Sequence, residues 1–147
     1  AIEDFLLIQQ VNVLAPFLLA QAVVPGMKER GWGRIVNVSS IWGKLSKAER
    51  ASYSASKFAL DGITAALSAE LAQTGILANS VAPGFIDTDL TRTVLGPDGI
   101  AQLVQQVPAR RLGSPVEVAT FVAWLAGPEN TYISGQNIAI DGGFTRV

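Results

Sequence analysis

The sequence contains no cysteine and no histidine. Without cysteine, disulfides, thiolate nucleophiles, Cys-ligated zinc and iron–sulfur clusters are excluded within these 147 residues. Without histidine, a Ser-His-Asp triad and His-ligated metal sites are excluded as well. Acid–base chemistry near neutral pH is left to tyrosine, lysine, serine or a carboxylate with a displaced pKa. Charge is also sparse, at 16% of residues with a net charge of −1. No basic stripe is present to neutralise a phosphate backbone, so nucleic acid is not an expected partner.

A signal-peptide layout is missing too. The apolar stretch from Phe5 to Val24 is interrupted by Gln9, Gln10, Asn12 and Gln21. A membrane span would not carry so many amides, so the stretch reads as a buried helix of a soluble, cytoplasmic protein with no membrane partner. The composition, 49% hydrophobic, supports a packed core and argues against disorder.

Phe5, Ile8, Val11, Ala15, Leu18, Leu19 and Ala22 recur at helical spacing. They predict a helix from about Glu3 to Arg30, ended by Gly31 and Gly33. Arg34–Ser39 is a short β-branched run and reads as a strand. A second helix is expected over Ser52–Gln73, with Ala59, Ile63, Ala66, Leu67 and Leu71 on one face and Gly75 closing it. Ile76–Ala82 reads as a strand broken by Pro83-Gly84. Short helices are expected around Asp87–Val94 and Asp98–Gln106. Ser114-Pro115-Val116-Glu117 is a capping box that opens a helix reaching Ala126. Asn137–Asp141 reads as the last strand. This alternation predicts an α/β fold with a largely parallel sheet. Three strands make a small sheet, and a doubly wound domain needs more of them upstream.

Tyr53 and Lys57, in YSASK, fall at i and i+4 on one helix face. An ammonium beside a phenol favours the phenolate, so such a pair can exchange a proton with an alcohol/carbonyl couple. On its own the pair is a weak signal, equally consistent with an exposed Tyr and Lys at a helix start. Its setting adds weight. Ser39 and Ser40 end one predicted strand and Pro83-Gly84 ends another, and open α/β sheets bind ligands beyond the carboxyl ends of their strands.

Four segments in order, RIVNVSSIWG, YSASK, NSVAPGFIDTDL and SGQNIAIDGG, resemble the short-chain dehydrogenase/reductase family along the whole chain. The branch that includes 3-oxoacyl-[acyl-carrier-protein] reductases is the nearest in pattern. The resemblance implies a catalytic tetrad. Ser40 matches the serine that hydrogen-bonds the substrate oxygen, and Tyr53 the general acid/base. Lys57 matches the lysine that assists the tyrosine and holds the nicotinamide ribose, and Asn12 the asparagine of a proton-relay helix. The resemblance further implies NAD or NADP, with Pro83, Gly84, Ile86 and Thr88 beside Tyr53 and Lys57 in lining the cofactor. It implies a small-molecule alcohol or carbonyl substrate and a homo-oligomer, since such proteins are commonly tetramers.

Pro16 lies four residues after Asn12 and has no N–H. The Asn12 carbonyl is expected to lose its helical donor there, kinking the helix and freeing an acceptor for a water-mediated relay to Lys57. The alternative is a helix that starts near Ala15 with Pro16 in its first turn.

The chain departs from the family pattern at its start. No TGxxxGxG loop, no NNAG strand and no residue that would choose NAD or NADP is present. The reading is therefore a single partial domain over 1–147, the C-terminal active-site part of a doubly wound, Rossmann-type domain. Two functions are open: an NAD(P)-dependent oxidoreductase, or a truncated non-catalytic remnant that only associates with itself or a partner.

Overall fold

The apolar spacing from Phe5 to Ala22 does form a helix in the computed structural model, which describes Ala1 to Val147. Helix α1 (Ile2–Gln9) runs through a wide turn, Gln10–Leu14, directly into α2 (Ala15–Arg30). Gly31, at φ 64, lets the chain leave the helix in the left-handed conformation, and its N–H and that of Trp32 close on the carbonyls of Lys28 and Met27. The helix does not break at Pro16. Leu14 (φ −65, ψ −44) and Ala15 (φ −62, ψ −48) both keep helical dihedrals. The missing N–H is absorbed instead by a π-type bulge, in which the Ala15 N–H reaches back five residues to the Gln10 carbonyl.

The burial expected for this helix is not found. Leu6, Leu7, Phe17, Leu18 and Leu19 are exposed and only Ala20 is buried. The reason is that the helix Ala51–Leu71 and the first strand touch one side of it and nothing within the chain covers the rest. The continuous helix Ile2–Arg30 is long and apolar enough, by length and composition, to cross a membrane.

The sheet has three strands, β1 (Gly33–Val38), β2 (Ile76–Pro83) and β3 (Asn137–Ile140). They lie in the order β1-β2-β3 and every pairing is parallel. Each strand differs from its predicted span by one residue at one or both ends, because the serines after β1 and Asp141 after β3 already turn toward the loops. Successive side chains of β2 point to opposite faces, yet Ile76 to Ala82 are all buried, so both faces of the central strand are covered. The covering helices are α3 (Ala51–Leu71), which links β1 to β2, and α5 (Pro115–Ala126), which leads to β3.

Helix α3 buries a different face from the one its apolar residues suggest. Ser54, Ser56, Lys57, Leu60, Thr64 and Leu71 are buried, while Ala66 is exposed. The buried hydroxyls are satisfied. Thr64 Oγ1 donates to the Leu60 carbonyl (2.9 Å) and accepts from Ser80 Oγ on β2 (2.7 Å) and from Asn37 Nδ2 on β1 (2.9 Å). Paired in this way, polar groups can occupy a core position that periodicity reserves for aliphatic ones. The two short helices expected after β2 form as α4 (Asp89–Val104), one segment broken in the middle by Gly96 at φ 62, ψ 177.

The capping box of α5 is present. Ser114 Oγ accepts from the Glu117 N–H (3.2 Å) and Glu117 Oε2 accepts from the Ser114 N–H (2.7 Å). Arg111 holds the same carboxylate with two nitrogens, at 2.9 and 2.6 Å. These bonds lower the Glu117 pKa from 4.5 to about 2, the Arg111 hydrogen bond contributing most. A depressed carboxylate stabilises the fold above its unfolded pKa and ceases to as the pH falls through its folded one. Unfolding stability of the chain should therefore drop between pH 4.5 and about 2, and the drop should be shallower in Glu117→Gln. Urea titrations at pH 5 and pH 2 check this, and equal slopes for the two proteins would remove the assignment.

Candidate active site

Because the three strands run the same way, their carboxyl ends emerge on one side. Ser39 and Ser40 follow β1, the Pro83-Gly84 turn ends β2, and Asp141 to Gly143 follow β3. Ser40 is nearly buried, with extended backbone (φ −164, ψ 160), and its Oγ accepts from the Trp42 N–H at 3.2 Å. It thus caps the single 3-10 turn Ile41–Gly43, which fixes the hydroxyl at the mouth of the sheet. Ser39 Oγ turns the other way, to the Lys57 carbonyl (3.3 Å).

Tyr53 and Lys57 sit in the first turns of α3, as the spacing requires. The Lys57 ammonium lies 5.5 Å from the centroid of the Tyr53 ring and donates to the Val38 carbonyl at 3.0 Å. Burial lowers the Lys57 pKa, since the charged form is the one that loses hydration. The Tyr53 hydroxyl makes no hydrogen bond within the chain, and two of the three ammonium protons of Lys57 are likewise unspent.

Asn12 reaches this group through a residue that the sequence alone did not single out. Its Nδ2 donates to Ser56 Oγ (3.0 Å), and Ser56 Oγ donates to the Tyr53 carbonyl (2.7 Å). Ser56 is fully buried, so it ties the bulged helix to the turn of α3 that carries Tyr53. The bulge falls on Asn12 itself. Ala15 spends its N–H on Gln10 and Pro16 has none, so neither supplies a donor to the Asn12 carbonyl.

The remaining sequence candidates form the floor beyond β2. The Gly84 N–H donates to the Ile140 carbonyl (2.9 Å), and a Cβ on Gly84 would meet Asp141 Cα at 2.8 Å, so no larger residue fits that turn. Ile86 pairs with Gly113 as an isolated parallel bridge. Thr88 Oγ1 accepts from the Thr91 N–H (3.2 Å) and caps α4. Two aromatic residues join Trp42 at this end without having been anticipated. Phe85 and Phe144 pack edge-to-face at 4.9 Å, and Trp42 lies 6.2 and 6.3 Å from them. Each comes from the loop after a different strand, a convergence that a linear reading could have found only by aligning the three strand ends.

Residues 1–145 match the family profile described as enoyl-(acyl carrier protein) reductase. The chain belongs to the short-chain dehydrogenase/reductase family. It is 42% identical to a 3-oxoacyl-[acyl-carrier-protein] reductase of Vibrio cholerae over 96% of this chain and 57% of the relative. It is 38% identical to an acetoacetyl-CoA reductase of Cupriavidus necator over 90% of this chain and 53% of the relative. A gluconate 5-dehydrogenase of Burkholderia cenocepacia, solved in complex with NADP and tartrate, superposes with a TM-score of 0.93 at 33% identity. That overlap covers 99% of this chain and 57% of the solved one, so the long apolar helix is an ordinary part of the fold. The chain therefore spans a little over half the length of the relatives it matches and forms part of a Rossmann-type domain.

The buried ammonium makes its own prediction. A lysine whose folded pKa is lowered carries a cost that is full below that pKa and fades as the pH rises toward 10.5. The stability of Lys57→Met relative to the parent should be greatest at neutral pH and should diminish by pH 10. Denaturant midpoints of both proteins at the two pH values test it. A difference that is constant with pH would mean that the ammonium is as well solvated folded as unfolded.

Proposed function

We propose that these residues form the active-site part of an NAD(P)-dependent oxidoreductase that interconverts an alcohol and a carbonyl. The observation that carries the proposal is the unspent polar set at the strand ends. A free phenol on Tyr53, an ammonium on Lys57 with two open donor positions, and a fixed hydroxyl on Ser40 all belong to one end of the sheet. That donor set fits the ribose and carboxamide end of a nicotinamide dinucleotide. When bound, the nicotinamide supplies or accepts the hydride.

Lys57 would bind the ribose hydroxyls, beside the wall made by Pro83, Gly84, Ile86 and Thr88. Ser40 would donate to the substrate oxygen and orient the reacting carbon. Tyr53 would exchange the proton. As the carbonyl is reduced the oxygen becomes an alkoxide, and the Tyr53 Oη–H bond breaks as the alcohol O–H forms; oxidation runs the same transfer backwards. Asn12 would hold the bulged helix against α3 through Ser56 and keep its carbonyl open to a proton-relaying water beside Lys57. The aromatic group of Trp42, Phe85 and Phe144 favours substrates with an apolar or flat part next to the carbonyl.

The partners we propose are a small-molecule substrate and further copies of the chain in a cytoplasmic homo-oligomer, with no role for nucleic acid or membrane. A second reading, a non-catalytic remnant that associates with itself or another protein, draws on the exposed apolar face of α1 and α2. The mass of the protein purified from its source separates the two, since about 100 further residues would favour the oxidoreductase.

In protein that includes the complete cofactor-binding part, Tyr53→Phe should lower turnover by about 10²–10⁴-fold while cofactor affinity changes little. Lys57→Ala should weaken both. A Phe variant with near-normal turnover would remove Tyr53 from the role of acid/base. The 147-residue chain alone should show no heat of NAD or NADP binding by calorimetry, because no glycine-rich loop offers N–H groups to the pyrophosphate. A saturable heat would mean that a phosphate site exists elsewhere.

A further inference from the structure

After β3 the chain reads Asp141-Gly142-Gly143-Phe144-Thr145. The two glycines take left-handed dihedrals in succession, at φ 61 and φ 92, which a side chain at either position would resist. The backbone so turned brings its N–H groups back onto Asp141. Its Oδ1 accepts from the Gly143 N–H (2.9 Å), its Oδ2 from the Thr145 N–H (2.8 Å), and its carbonyl from the Phe144 N–H (3.2 Å). Burial of the carboxylate acts to raise its pKa, but the bonds from Thr145 and Gly143 outweigh it and the pKa is lowered. Asp141 is therefore an ionised acceptor for the whole turn.

The turn is fixed from outside as well. The Ala109 N–H donates to the Gly142 carbonyl (3.1 Å), and a Cβ on Gly142 would meet Ala109 Cβ at 2.9 Å. What this rigidity delivers is the half-buried ring of Phe144, edge-to-face with Phe85 at 4.9 Å and with Trp42 at 6.3 Å. Such packing is directional, so the orientation of each ring matters as well as its place. The other two rings have further ties. The Lys47 ammonium lies over Trp42, 5.3 Å from the ring centroid, and the Phe85 carbonyl accepts from the Gly113 N–H (2.9 Å). Phe85 thereby belongs to the wall beyond β2 that Gly84 and Ile86 also form. Phe144 is the ring whose place is set by the terminal turn alone.

We propose that Phe144 is a specificity-determining residue and that Asp141 is the positioning residue that holds it. Phe144 completes an apolar, flat-sided wall within reach of the Ser40 turn, to which Trp42 is bonded. The substrates it favours are carbonyl compounds with a flat ring on the reacting carbon. The substrate class rests on the oxidoreductase reading; the hold of Asp141 on Phe144 does not.

The test uses protein that includes the complete cofactor-binding part. Ethyl benzoylacetate and ethyl acetoacetate are a matched pair that differ in a phenyl or a methyl group on the ketone. The parent should favour the phenyl ester in kcat/KM. Phe144→Ala should lower that preference about tenfold, through the KM of the phenyl ester more than through kcat, as the loss of one apolar contact does. Asp141→Ala should lower it comparably, and should lower it no further in the Phe144→Ala background, because Asp141 acts through that ring. Asp141→Asn keeps one acceptor oxygen, so it should fall in between, and it carries the test if the alanine variant does not fold. The hold itself is read by NMR without turnover. Of the three tryptophan indole N–H signals, that of Trp42 should move in Asp141→Ala as it does in Phe144→Ala, while those of Trp32 and Trp124 stay. An unchanged preference in Phe144→Ala would overturn the proposal. So would equal losses for both esters in Asp141→Ala, which would leave Asp141 a general structural role. A parent that reduces neither ester would overturn the substrate class. If the Trp42 signal still moves as expected in that case, the failure lies in the oxidoreductase reading and not in the hold of Asp141 on Phe144.

Discussion

Parallel pairing of β2 between β1 and β3 is the constraint on which the site depends. A strand reversed in this sheet would carry its terminal loop to the far side. With all three aligned, Ser40, the Pro83-Gly84 turn and the Asp141–Gly143 turn emerge together, and so do Trp42, Phe85 and Phe144. Parallel strands need long crossovers, and those crossovers are α3 and α5. The first of them is where the chain carries Tyr53 and Lys57. The connection that the topology demands is thus also the element that delivers the reactive pair to the strand ends.

A second layer of constraint is polar and buried. Thr64, Ser80 and Asn37 join α3 to both β2 and β1, and Asn79 joins β2 to the segment before β3 through Ile133 and Gln136. Each such bond adds about 1 kcal/mol net when made, and a buried partner left alone costs more than that. Their value here is in register as much as in stability. A one-residue slip of β1 against β2 would separate Asn37 from Thr64 and move Ser40 off the strand end together.

The elements were legible because they follow local rules: a left-handed glycine after α2, a capping box before α5, β-branched runs at β1 and β2. The Tyr53–Lys57 pair was legible because i, i+4 spacing on a helix fixes proximity without knowledge of the fold. What was not legible depended on partners distant in sequence. The buried face of α3 is rich in hydroxyls, and only their bonds to β1 and β2 make that face the inner one. Ser56 looked like filler inside YSASK until Asn12, 44 residues earlier, was seen to donate to it. The N-terminal helix was misjudged for the opposite reason. Its apolar stripe was read as a sign of burial, but a stripe shows only what a helix can bury, and within this chain only one side of it finds a cover.

Lys57 joins the site to the edge of β1 away from β2. Its ammonium holds the Val38 carbonyl, the last outward-facing acceptor of β1, and lies 5.5 Å from the centroid of the Tyr53 ring. Asn12, Pro16 and Lys57 all line one groove between β1 and the long helix. Bulging is a compact way to produce that arrangement. An added residue in one turn carries the helix on to Arg30 and changes where the carbonyls near Asn12 can find their donors.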